Sequence, residues 1–225
     1  MPRRGTHSAD LRQKLKWVEA DYADASRAFW SHPKLAELFG EYLVRTHCII
    51  RASVPLMEAA RDRAVVLAGD DAVATAVAGY LERHIREERH HDDWLLADLD
   101  VLGVARTHVL GRMPSPTVAA LVGSQYYWIH HYHPMTLLGY IAVLEGTPPC
   151  ADHVEGVIAR TGLPRAAFRT ILKHAELDPH HRDALNDALD ALPLTPDQAG
   201  TIAISAFATV RMLAGSLTET LERCG

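Results

Sequence analysis

Two short stretches of this 225-residue chain repeat one spacing of metal-ligating side chains. His84-Ile-Arg-Glu-Glu88-Arg-His-His91 and His174-Ala-Glu-Leu-Asp178-Pro-His-His181 both read His-x-x-x-carboxylate-x-x-His. On an α-helix, turning about 100° per residue, offsets of four and seven return to within about 40° of the starting direction. Each triad would therefore stand on one narrow helical face. Imidazole with carboxylate suits iron or manganese, and no thiolate accompanies it to favour a softer metal. Taken alone, residues 82–93 would read as a solvated face laced with i,i+4 charge pairs. Two triads of identical spacing, in a chain with 14 histidines against 4 phenylalanines, argue against that reading of both.

Diiron carboxylate bundles use such sets: two helices each give a carboxylate-x-x-His pair and two others each give a glutamate. Glu88-x-x-His91 and Asp178-x-x-His181 supply the pairs, with His84 and His174 one turn earlier. Glu145 is the best candidate for a further carboxylate, because it ends an apolar segment, Leu137 to Leu144. Glu58 and Glu41 compete for the remaining role. Asp178-Pro179 carries its own alternative, since aspartate before proline often marks a turn or a helix start.

Seven rings occupy eight positions in Tyr126-Tyr-Trp-Ile-His-His-Tyr-His133. Such a stripe is commonly core. In a functional reading Tyr126, His130 and His133 share one face and bind a polar substrate or orient ligands. His47 and Arg51 form another i,i+4 pair, and a guanidinium clamps a carboxylate in bidentate fashion. An exposed Arg51 with a structural partner is an equal alternative.

The elements that must position these residues read as helices punctuated by proline and glycine, with no convincing period-two strand. One helix is predicted from about Ser8 to Ser31, and a second from Lys34 to about His47, whose continuation through Ser53-Val54-Pro55 to Leu67 is broken or kinked at Pro55. A third, capped by Asp70 or Asp71, runs to about Leu102 and stops at Gly103. Ser115-Pro116 opens a fourth, which His133-Pro134 ends or bends. Met135–Glu145, Ala151–Arg160, Pro164–Ala191 and Thr195–Glu222 follow. The expected fold class is all-α, one bundle domain over residues 1–225.

A formal charge of −5 argues against nucleic acid or an anionic membrane as partner. Pro2-Arg3-Arg4 is followed by polar residues, unlike a secretory signal, and runs such as Leu137 to Leu144 are too short to cross a bilayer. Cys48, Cys150 and Cys224 are far apart and odd in number, which suggests neither a disulfide framework nor a thiolate zinc site. The expected location is cytoplasmic.

His84-x3-Glu88-x2-His91-Asp92, running on through Trp94-Leu-Leu-x-Asp98-Leu-x-x-Leu-Gly103, resembles the signature helix of haem-oxygenase-like diiron oxidases and oxygenases, the iron-containing redox enzymes. His133-Pro134 through Leu138-Gly-Tyr140 to Leu144-Glu145-Gly146 resembles the segment carrying a glutamate ligand, and His174-x3-Asp178-x2-His181 the C-terminal ligand helix. The resemblance implies a haem-oxygenase-like bundle of about seven helices. It also implies two Fe(II) per chain, one of them labile, with O2 as co-substrate. Glu145, His91, His174, Asp178 and His181 match its ligands. Where some members carry a glutamate seven residues before the early histidine, this chain has His84. So His84, Glu88, Glu58 or Glu41 completes the set.

Similar enzymes desaturate, cleave C–C bonds of, or N-oxygenate amino acids and fatty acids, often for specialised metabolites. A small carboxylate-bearing substrate is therefore expected, with a homodimer left open. The same fold also hosts metal-free thiaminase-like hydrolases with a cysteine nucleophile, for which Cys48 is the candidate, and a cofactorless oxidase. A non-catalytic iron-binding protein is the third reading. Haem oxygenase itself needs a proximal histidine on its first helix, and His7 and His32 lie only at that helix's ends.

Overall fold

Among the described residues, four α-helix starts carry a side chain that accepts a first-turn amide: Thr6, Asp71, Ser115 and Thr195. The computed structural model describes residues 5–222; Pro2-Arg3-Arg4 and Cys224 lie outside the described residues. Among the described residues there is no strand. The helices are α1 (His7–Leu15), α2 (Glu19–Trp30), α3 (Leu35–Ile50), α4 (Ser53–Leu67), α5 (Ala72–Glu88) and α6 (His91–Val101), then α7 (Arg106–Leu110), α8 (Pro116–His131), α9 (Leu137–Leu144), α10 (Ala151–Thr161), α11 (Arg169–Ala191) and α12 (Pro196–Glu222). Short 3₁₀ turns at Pro134–Thr136 and Arg165–Phe168 lead into α9 and α11. Asp71 caps α5 by accepting from the Ala74 amide at 2.9 Å, and Ser115 caps α8 with Pro116 at its first position.

Three boundaries differ from expectation, and they raise the helix number above seven. The predicted Ser8–Ser31 helix is two, because the chain turns at Lys16–Val18. The second break falls at Arg51–Ala52, so Pro55 sits in the first turn of α4, where its missing N–H costs nothing. The predicted third helix also divides: Arg89 is extended (ψ 134°) and His90 is left-handed (φ 72°), so α5 stops at Glu88 and α6 starts at His91. Conversely, α11 runs unbroken through Asp178-Pro179. The turn reading of that dipeptide fails, since neighbouring packing offsets one lost backbone bond.

Two clusters of buried apolar residues make the core. Leu56, Leu81, Ile85, Leu121, Leu138, Tyr140, Leu185 and Ile202 belong to one, joining α4, α5, α8, α9, α11 and α12. Phe29, Phe39, Leu43, Leu95, Leu99, Val157 and Phe168 form the other, joining α2, α3, α6 and α10. Thus α5 and α9 belong to the first, α6 to the second, and α11 serves both, with Ile171 and Leu172 against the second. Helix α12 packs against α2, α3, α8 and α9. By length and composition alone α12 is long and apolar enough to cross a bilayer, at a mean hydropathy of 1.4. Half of its apolar stretch is buried within the bundle, as in a core helix.

Candidate metal centre

The break at Arg89–His90 redirects the chain where the first triad lies. His84 and Glu88 end α5, and His91 begins α6. The three do not share one continuous helical face, yet all are buried, with His84 and His91 each 2% exposed. The second triad sits on continuous α11, so His174, Asp178 and His181 keep the face that their spacing predicts. Glu145, at the C-terminal cap of α9, is buried as well. Seven expected ligands thus meet from α5, α6, α9 and α11.

Two sub-clusters emerge. In one, His84 Nε2 donates to Glu145 Oε1 at 2.8 Å, and the rings of His84 and His181 meet edge to face at 5.1 Å. His84, Glu145 and His181 each bring one ligand atom within 4.8 Å of the others. In the other, His174 Nδ1 donates to Asp178 Oδ1 at 2.8 Å, and the rings of His91 and His174 meet at 5.1 Å. Glu88 stands between: one oxygen lies 3.0 Å from His91 Nδ1, the other 3.3 Å from His181 Nδ1. These last contacts are close enough for charge attraction but are not aligned as hydrogen bonds, so Glu88 Oε1, His91 Nδ1 and His181 Nδ1 stay unpartnered.

The charges are balanced by proximity. Burial alone would lower the His84 imidazole, but the hydrogen bond and charge of Glu145, aided by Glu88, push it up to about 9. Burial raises the Glu145 carboxyl to about 7, against the pull of His84. Glu88 is held below the usual carboxylate range: burial opposes this, but His91, His84 and His174 outweigh it. His174 is raised, Asp178 overcoming desolvation, whereas His181 is lowered by desolvation, with His84 adding to it.

A cation fits this donor set. Glu88 Oε1, His91 Nδ1, Glu145 Oε2, His174 Nε2 and His181 Nδ1 are all buried without a hydrogen-bond partner. Each such group costs about 1–3 kcal/mol in a finished fold. A fold that converges five of them gains from a positive ion among them. Imidazole and carboxylate without thiolate suit iron or manganese.

Two of the candidate carboxylates turn to arginines instead. Glu58 turns to Arg89 at 3.4 Å, and Glu41 pairs with Arg45 and Arg112. Of the four open candidates, His84 and Glu88 are the ones that stand among the clustered histidines. His133 is structural: its Nε2 donates to Asp71 at 3.1 Å and its Nδ1 accepts from the Met135 amide, so neither nitrogen is left for substrate. Tyr126 is half-buried and stacks on His130, which is exposed. Arg51 is half-buried and reaches the Leu110 carbonyl at 3.5 Å. Cys48 is buried, and burial raises its thiol, the opposite of an activated nucleophile.

Sequence reasoning missed four neighbours. Glu87 lies 3.5 Å from His84 Nδ1 and 3.9 Å from His181 Nε2. Tyr80, 4% exposed, stacks on His84 and leaves its hydroxyl unpartnered. Trp94 stacks on His91 at 4.0 Å, and fully buried Asp98 reaches α11. Tyr80 is four residues before His84 and Trp94 three after His91, so helical periodicity could have flagged both.

Comparison with known proteins gives the chain's family and fold. Residues 64–214 match the family described as iron-containing redox enzymes, a span that includes every residue of the centre. No curated protein matches the chain. Among solved structures, a domain of unknown function with a heme oxygenase-like fold from Shewanella denitrificans OS217 superposes with a TM-score of 0.81 at 16% identity, over 96% of this chain and 92% of that one. A CADD-like protein of unknown function from Nostoc punctiforme PCC 73102 gives 0.70 at 18% identity, covering 96% and 98%. A TenA homolog from Pseudomonas syringae pv. tomato DC3000 gives 0.67 at 13%, covering 93% of each. At these identities the likeness is one of fold.

Proposed function

The chain belongs to the iron-containing redox enzymes, and from that premise we propose that it is a non-haem diiron oxidase or oxygenase that activates O2 on a small carboxylate-bearing substrate. The observation that carries this reading is the buried set of unpartnered ligand atoms from four helices. His84, Glu145 and His181 would hold one Fe(II); His91, His174 and Asp178 would hold a second; Glu88 faces both groups. Bound iron supplies the electrons with which O2 is reduced.

The chain's own residues do the rest. The His84–Glu145 pair stores a proton at Nε2 that a cation would expel. Asp178, bonded to His174 Nδ1, fixes that ring so that Nε2 is the nitrogen presented. Tyr80 and Trp94 cover His84 and His91 with aromatic surface and limit water at the ligands. Arg51 is the proposed clamp for the substrate carboxylate. An amino acid or a fatty acid is the proposed substrate class, in biosynthesis of a specialised metabolite in the cytoplasm.

The test is anaerobic loading with Fe(II) followed by mixing with O2. About two irons per chain and a transient visible band are expected, and His91→Ala and His181→Ala should lower uptake while remaining folded by circular dichroism. No uptake above background, or uptake unchanged in both variants, would sink the reading. Iron uptake with no accelerated O2 consumption across a panel of amino and fatty acids would leave a non-catalytic iron-binding protein instead.

A further inference from the structure

Helix α11 begins without a cap of its own. Phe168 occupies its N-cap position and has no side-chain acceptor, so an amide of the first turn needs a partner from outside. Asp98 on α6 supplies it. Its Oδ2 accepts from the Thr170 amide at 2.8 Å, and the aspartate is fully buried. A carboxylate at a helix N-terminus also faces the positive end of the helix dipole. Its second oxygen has no hydrogen-bond partner, with Arg169 Nε at 3.6 Å. Arg169 adds another tie, donating through Nη2 to the Trp94 carbonyl at 3.4 Å, and Lys173 lies 4.0 Å over the Trp94 ring.

The spacing gives this cap a second consequence. Asp98 follows His91 by seven residues and so lies near its face of α6, about 10 Å along the axis. Thr170 precedes His174 by four residues and lies on its face of α11, about 6 Å away. One end of the α6–α11 seam is thus the Asp98–Thr170 bond, and the other is the His91–His174 ring contact at 5.1 Å.

We propose that Asp98 is a positioning residue for the metal centre: by capping α11 from α6 it locks the register that brings His91 and His174 together. This rests on the reading of those histidines as ligands. A slip of one residue along α11 moves a side chain by about 1.5 Å and about 100°, enough to take His174 out of the site. Conformational restraint of this kind is linked in both directions, so an ion at the ligands should also steady the cap.

The probe is Co(II), titrated anaerobically into the full chain and read by its visible absorption. Wild type, Asp98→Ala, Asp98→Asn and Ser115→Ala are compared. Ser115→Ala removes the cap of α8, a helix without candidate ligands, and controls for lost stability. Asp98→Ala is expected to weaken Co(II) binding about tenfold or more, in line with the loss of other supporting groups around metal ligands, and to alter the band shape. Asp98→Asn, which keeps an acceptor oxygen, should restore affinity to within about threefold. Ser115→Ala should bind as wild type does.

If Asp98→Ala does not fold, hydrogen exchange of the wild type carries the test. Adding Co(II) should slow exchange of amides 169–172, a turn that holds no candidate ligand. Wild-type affinity in Asp98→Ala, equal weakening in Ser115→Ala, or protection confined to the turns of residues 174–181 would each overturn the proposal. A wild type that binds no Co(II) would instead overturn the metal centre beneath it.

Discussion

His84 Nε2 donates to Glu145 Oε1 across 2.8 Å although the residues lie 61 positions apart, and the bond ties the end of α5 to the end of α9. Both groups are buried, so each feels the other with little solvent screening.

That pair sets a pH dependence. His84 is raised from 6.5 to about 9, so its contribution is complete below its unfolded value and is lost as pH rises through about 9. Glu145 is raised from 4.5 to about 7; its protonated form favours folding, and that contribution is lost as pH rises through about 7. The metal-free protein should therefore melt at a lower temperature at pH 9.5 than at pH 6.5, at about 2–4 °C per kcal/mol for a chain of this size. Saturating Co(II) should shrink the drop, because the ion replaces the protons. A melting temperature flat over this window in the metal-free protein would contradict the pairing.

Trp94 should report on the second sub-cluster. Its ring stacks on His91 at 4.0 Å, so a paramagnetic ion there should quench its fluorescence. Titration with Co(II) is expected to lower tryptophan emission in the wild type. Trp94→Phe should lose most of that change while still binding Co(II) by elemental analysis. Quenching of equal size in Trp94→Phe would assign the effect to another tryptophan.

At Gly139 the backbone of α9 lies directly against that of α12. A Cβ built there would strike the Ile202 carbonyl oxygen and stand 2.9 Å from the Ala206 amide nitrogen, both of them backbone. Neither can swing away, so Gly139→Ala must push α9 outward and carry Glu145 with it. The expected cost is about 1–3 kcal/mol or more in urea denaturation, with weakened Co(II) binding. Gly79, on α5 with open space at its Cβ position, should tolerate alanine.

His133 and Asp71 should behave as structure. Asp71 caps α5 and receives the His133 ring, so Asp71→Ala is expected to cost about 1 kcal/mol or more. The Asp71 carboxyl is held low: burial opposes this, but the Ala74 amide and His133 prevail. Its contribution is present above the unfolded value near 3.8 and is lost as pH falls through the lowered folded value. His133→Ala should destabilise the fold yet leave the Michaelis constant of any substrate unchanged. A large rise in that constant at unaltered stability would return His133 to the substrate site.

Helical class, a cap at Asp70 or Asp71, the cap at Ser115 and most residues of the candidate cluster were legible in the sequence, because they rest on short-range spacing and residue chemistry. Identical triads on α-helical periodicity named His84, Glu88, His91, His174, Asp178 and His181, and an acid ending an apolar run named Glu145. Which of the open candidates Glu41, Glu58 and Glu88 face the cluster was not legible. Glu41, Glu58 and Glu88 all follow apolar helical stretches or charged faces, and only packing turns the first two to arginines and the third inward. Nor did local signals mark the break at His90, a left-handed residue where no glycine stands. Its backbone cost is met by contacts on both sides, Glu88 with His181 and His91 with His174, that exist only once the helices are assembled. The sequence by itself determined the candidate residue types and their spacing, since those follow from chemistry along single helices. Only the tertiary structure decided their grouping, because distances between helices depend on caps and packing far along the chain, such as Asp98 on Thr170 and Gly139 against Ile202.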